Sequence, residues 1–199
     1  MPALEALRQA NYEVVAVVTQ PDKPVGRGLK MEIPPVKVRA QELGLTVLQP
    51  QSLQRTKVSN SHDRENLTPA FFEDLKIELG IVAAYGKIIP KAVLDIFPHG
   101  VLNLHPSLLP KYRGPSPIQA AILNGDKETG VTIMLLDEQL DHGPILAQSP
   151  PLRLRGGREG LRQLTAGELS KLLIQEGTKL LIEILPKWLS GEITPQPQD

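Results

Sequence analysis

Apolar residues run along this chain in two rhythms. Short runs rich in β-branched residues read as strands covered on both faces, whereas leucines at helical spacing read as helices with one apolar face. The first rhythm predicts strands over residues 12–18, 46–48, 79–84, 101–105, 131–136 and 145–148. The second predicts a helix over 2–10, with Pro2 in its first turn and Leu4 and Leu7 on one face. Further helices are expected over 35–43, opened by Pro35 and closed by Gly44, over 71–76, and over 116–123 behind Pro115 and Pro117. A long last helix carries Leu169, Leu172, Leu173, Leu180, Leu181 and Ile184, and Thr165 and Glu168 before it have the spacing of a capping box. Residues 19–30 read as a loop broken by glycine and proline, 51–66 as a polar, irregular stretch, and 85–90 as a turn. No internal repeat is present. Strands alternating with helices predict an α/β domain with a mostly parallel sheet, where ligands bind beyond the carboxyl ends of the strands.

Composition narrows the picture. Of 199 residues, 41% are hydrophobic and 22% charged, the make-up of a soluble globular domain. Lysine and arginine balance aspartate and glutamate to a formal net charge of zero, which argues against a nucleic-acid footprint over the whole chain and leaves room for a local basic loop. The absence of cysteine excludes disulfides, thiol catalysis and cysteine-bound zinc. With no spanning apolar run and no signal peptide, the expected compartment is the cytoplasm.

Candidate chemistry collects at one predicted edge. Asn103 and His105 stand two apart on a strand, so their side chains share a face, and Pro106 ends the strand beside them. An amide and an imidazole there can both donate to one oxygen, as stabilising a tetrahedral oxyanion requires. Asp141 falls in the loop after the strand over 131–136, where a carboxylate could hold the imidazole protonated or accept a proton through water. Each residue alone has a structural explanation: a lone histidine is usually packed, an Asn can tie a loop, and Asp near a glycine is ordinary turn chemistry. Their shared edge favours function.

The motifs NLHPSLLPKYRG (103–114), ETGVTI (128–133) and LDHGPIL (140–146) resemble the signature of the folate-dependent formyltransferases. QPDKPVGRG (20–28), PPVK (34–37) and AAYGKIIP (83–90) are most similar to the branch that acts on methionyl-tRNA, and the likeness covers nearly the whole chain. The resemblance implies a Rossmann-like α/β fold, 10-formyltetrahydrofolate as co-substrate, initiator methionyl-tRNA as partner, and no metal. It implies Asn103, His105 and Asp141 as the catalytic trio. Ser107, Leu108, Leu109 and Pro110 would contact the folate, with Tyr85, Gly86, Lys87, Ile88 and Ile89 as a second wall. Lys23, Arg27 and Lys30 would grip the tRNA acceptor end through salt-sensitive phosphate contacts. His142, His62 and His99 receive no role. The expected state is a monomer without a membrane segment.

Residues 1–190 are expected to form the catalytic domain and 191–199 to begin a linker toward a further domain. The family pattern also implies a first strand ahead of residue 1. Its absence is expected to leave the strands at Tyr12 and Val101 without a shared neighbour and the chain poorly stable or inactive. Two other functions fit the motifs: formyl transfer to an amino sugar or glycinamide ribonucleotide, which the cationic loop argues against, and folate binding without turnover. A dinucleotide-dependent oxidoreductase is disfavoured because no GxGxxG turn occurs.

Overall fold

The computed structural model describes residues 2–26, 29–51, 53, 75–154 and 164–199. Along the chain come α1 (Pro2–Gln9), β1 (Ala16–Val18), β2 (Lys23–Val25), β3 (Lys30–Glu32), α2 (Pro35–Glu42), β4 (Thr46–Leu48) and β5 (Gly80–Val82). There follow α3 (Lys91–Leu94), β6 (Val101–His105), α4 (Pro117–Leu123), β7 (Glu128–Thr129), β8 (Thr132–Leu135), β9 (Ile145–Gln148), β10 (Leu152–Arg153) and α5 (Ala166–Leu189).

The main sheet has the order β5-β6-β8-β9. It is parallel at β5–β6 and turns antiparallel at β8 and β9. A separate parallel pair, β1–β4, aligns Ala16 with Thr46 and Val18 with Leu48. The two pieces are tied together just past their strands, where Gln20, just after β1, donates its side-chain amide to the Tyr85 carbonyl, just after β5, at 2.8 Å.

One side of the main sheet is sealed by α5. Leu102 of β6, Ile133 of β8 and Leu181 of α5 are each 0% exposed and form one core with Leu7 of α1. The helix starts where the sequence placed it: the Thr165 hydroxyl accepts from the Glu168 amide, and the Glu168 carboxylate accepts from the Thr165 amide at 2.9 Å. Gly177 lets α5 lie close, since a Cβ there would sit 2.9 Å from Val131 Cγ1. Trp188 closes the far end by donating to the His99 carbonyl at 3.0 Å.

Several expectations are corrected. The run over 12–18 forms a strand only over Ala16–Val18, because β4 offers just three partner residues, and that strand is half-buried. β5 is likewise half-buried and lies at the edge of its sheet. The strand at Val101 keeps both neighbours, β5 and β8. Where a loop was expected over 19–30, the chain forms β2 and enters β3, the two strands pairing antiparallel with Lys23 opposite Glu32. Of the helix expected over 71–76, residues 71–74 and most of the 51–66 stretch lie outside the described residues, and Lys76 has a left-handed φ of 48° that no helix accommodates. Short α3, β7 and β10 carried too little periodicity to be read from the sequence.

Candidate active site

β6 alternates as its spacing requires. Leu102 and Leu104 face the α5 core, while Asn103 and His105 turn to the opposite face, where they are 8% and 4% exposed. Asp141 reaches them from the loop between β8 and β9. Its Oδ1 accepts from Asn103 Nδ2 at 3.3 Å, and its Oδ2 accepts from the Gly114 amide at 2.9 Å. The same Oδ2 lies 3.5 Å from His105 Nδ1. The three residues singled out from the sequence are therefore brought together, with one carboxylate touching both partners.

His105 is held from its other side as well. Its Nε2 lies 2.9 Å from the carbonyl oxygen of Tyr112, which can only accept. Both ring nitrogens thus face acceptors, and both contacts are satisfied only with a proton on each nitrogen.

Asp141 occupies its position at some cost. Its φ is 49°, in the left-handed region where a residue with a Cβ is disfavoured by about 1–2 kcal/mol. Gly143, two residues on, must be glycine for space, since a Cβ there would fall 1.9 Å from the Leu135 carbonyl oxygen. The turn is pressed against the end of β8, which fixes how far the carboxylate can retreat.

The loop after β6 is tied down by residues the sequence reading missed. Thr132, 0% exposed, donates to the Ser107 carbonyl at 2.7 Å and accepts from the Leu109 amide at 3.0 Å. Gln148 donates to the Leu109 carbonyl at 2.8 Å and to Thr132 at 3.0 Å. Thr132 stands on β8, beside β6, and Gln148 on β9, one strand further; only the registers that set His105 opposite Thr132 and Thr132 opposite Gln148 reveal their reach. Lys111 bridges to Asp126 at 2.7 Å, and that bond holds the Asp126 carboxyl below its ordinary value and the Lys111 ammonium above its own.

Among the predicted folate contacts, Ser107 and Leu109 are buried, Leu108 is half-buried and Pro110 is exposed. On the turn after β5, Lys87 donates to the carbonyls of Pro50 and Gln51, Ile89 packs on the β1–β4 cluster, and Ile88 is 80% exposed. Gly86 takes a φ of 73°. Among the described residues the buried Tyr85 hydroxyl finds no partner, and burial raises its pKa. Lys23 is exposed on β2 and Lys30 opens β3; Arg27 lies outside the described residues. Among the described residues no cluster of His, Asp and Glu could hold a metal ion, and no helix is long and apolar enough to cross a membrane.

A Rossmann-like sheet with an amide, an imidazole and a carboxylate converging at one strand end defines a class of acyl-transfer site. The sequence profile described as Formyl transferase matches residues 2–175, and the chain belongs to that family. Over 201 residues it is 47% identical to a methionyl-tRNA formyltransferase of Chloroflexus aurantiacus, covering 99% of this chain and 58% of that protein. It is equally identical over 203 residues to the methionyl-tRNA formyltransferase of Thermus thermophilus, covering 100% and 59%. The chain thus spans somewhat over half the length of these relatives. Among solved structures it resembles glycinamide ribonucleotide transformylase 1 from Symbiobacterium toebii, with a TM-score of 0.71, 21% identity, and 100% and 89% of the two chains covered. Phosphoribosylglycinamide formyltransferase from Bacillus halodurans gives 0.69 at 25% identity, over 96% and 91%.

Proposed function

We propose that the chain transfers the formyl group of 10-formyltetrahydrofolate to the α-amino group of initiator methionyl-tRNA. The observation that carries this reading is the contact of Asp141 with both Asn103 and His105 at the carboxyl end of β6, in a chain 47% identical to methionyl-tRNA formyltransferases. The donor supplies an already activated formyl group on a folate nitrogen. The methionyl amine adds to the formyl carbon, and the carbonyl oxygen becomes an oxyanion. Asn103 Nδ2, which has a second hydrogen beyond the one given to Asp141, donates to that oxygen, and His105 donates to it when its Nε2–H turns from the Tyr112 carbonyl. Asp141 holds His105 and accepts the proton leaving the ammonium through water. When the carbon–nitrogen bond to the folate breaks, that proton goes to the folate nitrogen, giving formylmethionyl-tRNA and tetrahydrofolate.

In this reading Leu108, Pro110 and the backbone of Ser107 and Leu109 line one side of the folate, and Tyr85 to Ile89 the other. The β2–β3 hairpin, with Lys23, Arg27 and Lys30, lies along the acceptor end. Residues 1–190 act as the catalytic domain and 191–199 lead toward a further one. The protein works as a monomer in the compartment where translation starts.

The test is formyl transfer to methionyl-tRNA by the chain and by His105→Ala. Transfer should fall about 100- to 1,000-fold in the variant, the usual cost of one oxyanion donor. Faster transfer to glycinamide ribonucleotide or an amino sugar than to methionyl-tRNA would overturn the substrate; transfer that survives His105→Ala would overturn the site.

A further inference from the structure

The end of the chain lies on the catalytic turn. Gln196 pairs with Ile145 at the start of β9, the Ile145 amide donating to Gln196 at 2.7 Å and the Gln196 amide donating back at 2.8 Å. This sets Gln198, two residues on, beside the turn that carries Asp141. One side-chain nitrogen, Gln198 Nε2, donates to the Gly143 carbonyl at 2.6 Å and to the Asp141 carbonyl at 3.2 Å. On the other side, Gln198 Oε1 accepts from Arg113 Nε at 3.1 Å, and Arg113 also donates to the Asp199 carbonyl at 3.0 Å. The reverse amide orientation would face nitrogen with guanidinium and oxygen with two carbonyls, so the partners fix which atom points where.

Arg113 sits between two residues of the site. Tyr112 before it gives the carbonyl that meets His105 Nε2, and Gly114 after it gives the amide that meets Asp141 Oδ2. Gln198 therefore touches both halves of the site at once, the loop behind His105 and the left-handed turn under Asp141, without touching any side chain of the trio.

We propose that Gln198, seated by the Gln196–Ile145 bridge and paired with Arg113, is a positioning residue that sets the Asp141 carboxylate against His105 and Asn103. The inference deepens the formyl-transfer reading and rests on it for its kinetic consequence. A residue at φ of 49° relaxes unless its neighbours hold it. The bonds to both ends of the turn supply that hold, and Gly143 blocks movement toward β8.

The test replaces Gln198 in the intact protein by Glu, which keeps the acceptor for Arg113 but aims a second oxygen at two carbonyls, and by Met, which keeps the shape without either bond. Two quantities are read: steady-state transfer to methionyl-tRNA, and hydrogen exchange of the Gly114 amide, whose partner is Asp141 Oδ2. For Gln198→Glu, kcat should fall roughly 10- to 100-fold, as expected for small misplacement of a catalytic group, with both KM values within about twofold. Gln198→Met should fall less. Gly114 exchange should quicken about tenfold in Gln198→Glu while the α5 amides stay protected. Unchanged Gly114 exchange in both variants overturns the brace, whatever the turnover. A parent protein inactive on methionyl-tRNA overturns the formyl-transfer reading, and Gly114 exchange then still decides whether Gln198 sets the carboxylate.

Discussion

The central strands of the main sheet, β6 and β8, and the strand β1 are built from similar β-branched and aliphatic residues, yet they end in different states. In the main sheet Leu102, Ile133 and Met134 are 0% exposed, with α5 laid across one face and the catalytic loops across the other. In β1 all three residues remain half-buried, and the nearby hairpin leaves Leu29, Met31 and Ile33 71%, 55% and 46% exposed. The difference lies in coverage, since residue preference is alike in both. Chemistry that needs a fixed, dry carboxylate and imidazole stands where both faces are covered. The hairpin stands where Leu29, Met31 and Lys23 stay in solvent.

The comparison can be broken first on stability. Leu102→Ala should cost about 2–5 kcal/mol, the range for emptying a sealed core position. Val17→Ala, on half-buried β1, should cost roughly 1 kcal/mol. Equal losses in chemical denaturation would show that the β1–β4 pair is as tightly packed as the main sheet.

Two glycines sharpen it at the level of function. Gly143→Ala drives a Cβ into the Leu135 carbonyl and must shift the Asp141 turn. Formyl transfer should drop by about 100-fold, the scale for displacing a catalytic group by an ångström. Gly44, after α2, also resists substitution, but only through its φ of 70°, with nothing within 4 Å of an added Cβ. Gly44→Ala should therefore cost about 1–2 kcal/mol of stability and leave kcat in place. Comparable kcat losses in the two variants would remove the distinction between a crowded catalytic turn and an open structural one.

What could be read from the sequence follows the same division. Period-two spacing placed Asn103 and His105 on one face, and a loop after a strand placed Asp141 near them, because both signals are local. The capping box at Thr165 and Glu168 was legible for the same reason. The Tyr112 carbonyl, the Gly114 amide, Thr132 and Gln198 were not, since their parts depend on register and on which loop crosses which. β1 was read too long because propensity does not know how short its partner is. The two neighbours of the strand at Val101, β5 and β8, were not legible because strand order is a property of the sheet and leaves no mark on any one strand.

Thr132→Val tests the covered side at a smaller scale. Valine keeps the shape of a fully buried side chain but removes the hydroxyl that serves the Ser107 carbonyl, the Leu109 amide and Gln148. Leaving these groups short of a partner should cost about 1–3 kcal/mol in thermal or chemical unfolding. A loss below about 0.5 kcal/mol would mean the loop after β6 is held by packing alone.

The smallest effect is expected at the base of the hairpin, where the interacting groups are only partly buried. Asp22 accepts from Lys37 at 2.8 and 3.0 Å and from Gln49 at 2.7 Å, and Gln49 also donates to the Gln20 carbonyl at 2.9 Å. The Lys37 bond first, and the Gln49 bond second, hold the Asp22 carboxyl below its ordinary 3.8. A carboxyl lowered by folding stabilises the fold above its unfolded value, and that contribution is lost as pH falls through the folded one. Protection of the β2–β3 amides should therefore weaken as the solution is acidified past 3.8, with the main sheet unaffected. Lys37→Met should bring the Asp22 titration, followed by carboxyl NMR, back up toward 3.8 and flatten that dependence. Because the pair is only partly buried, salt should mimic the substitution in part. If Asp22 titrates unchanged in Lys37→Met, Gln49 rather than the ion pair holds the hairpin, and the exposed region relies on neutral hydrogen bonds as the catalytic loop does.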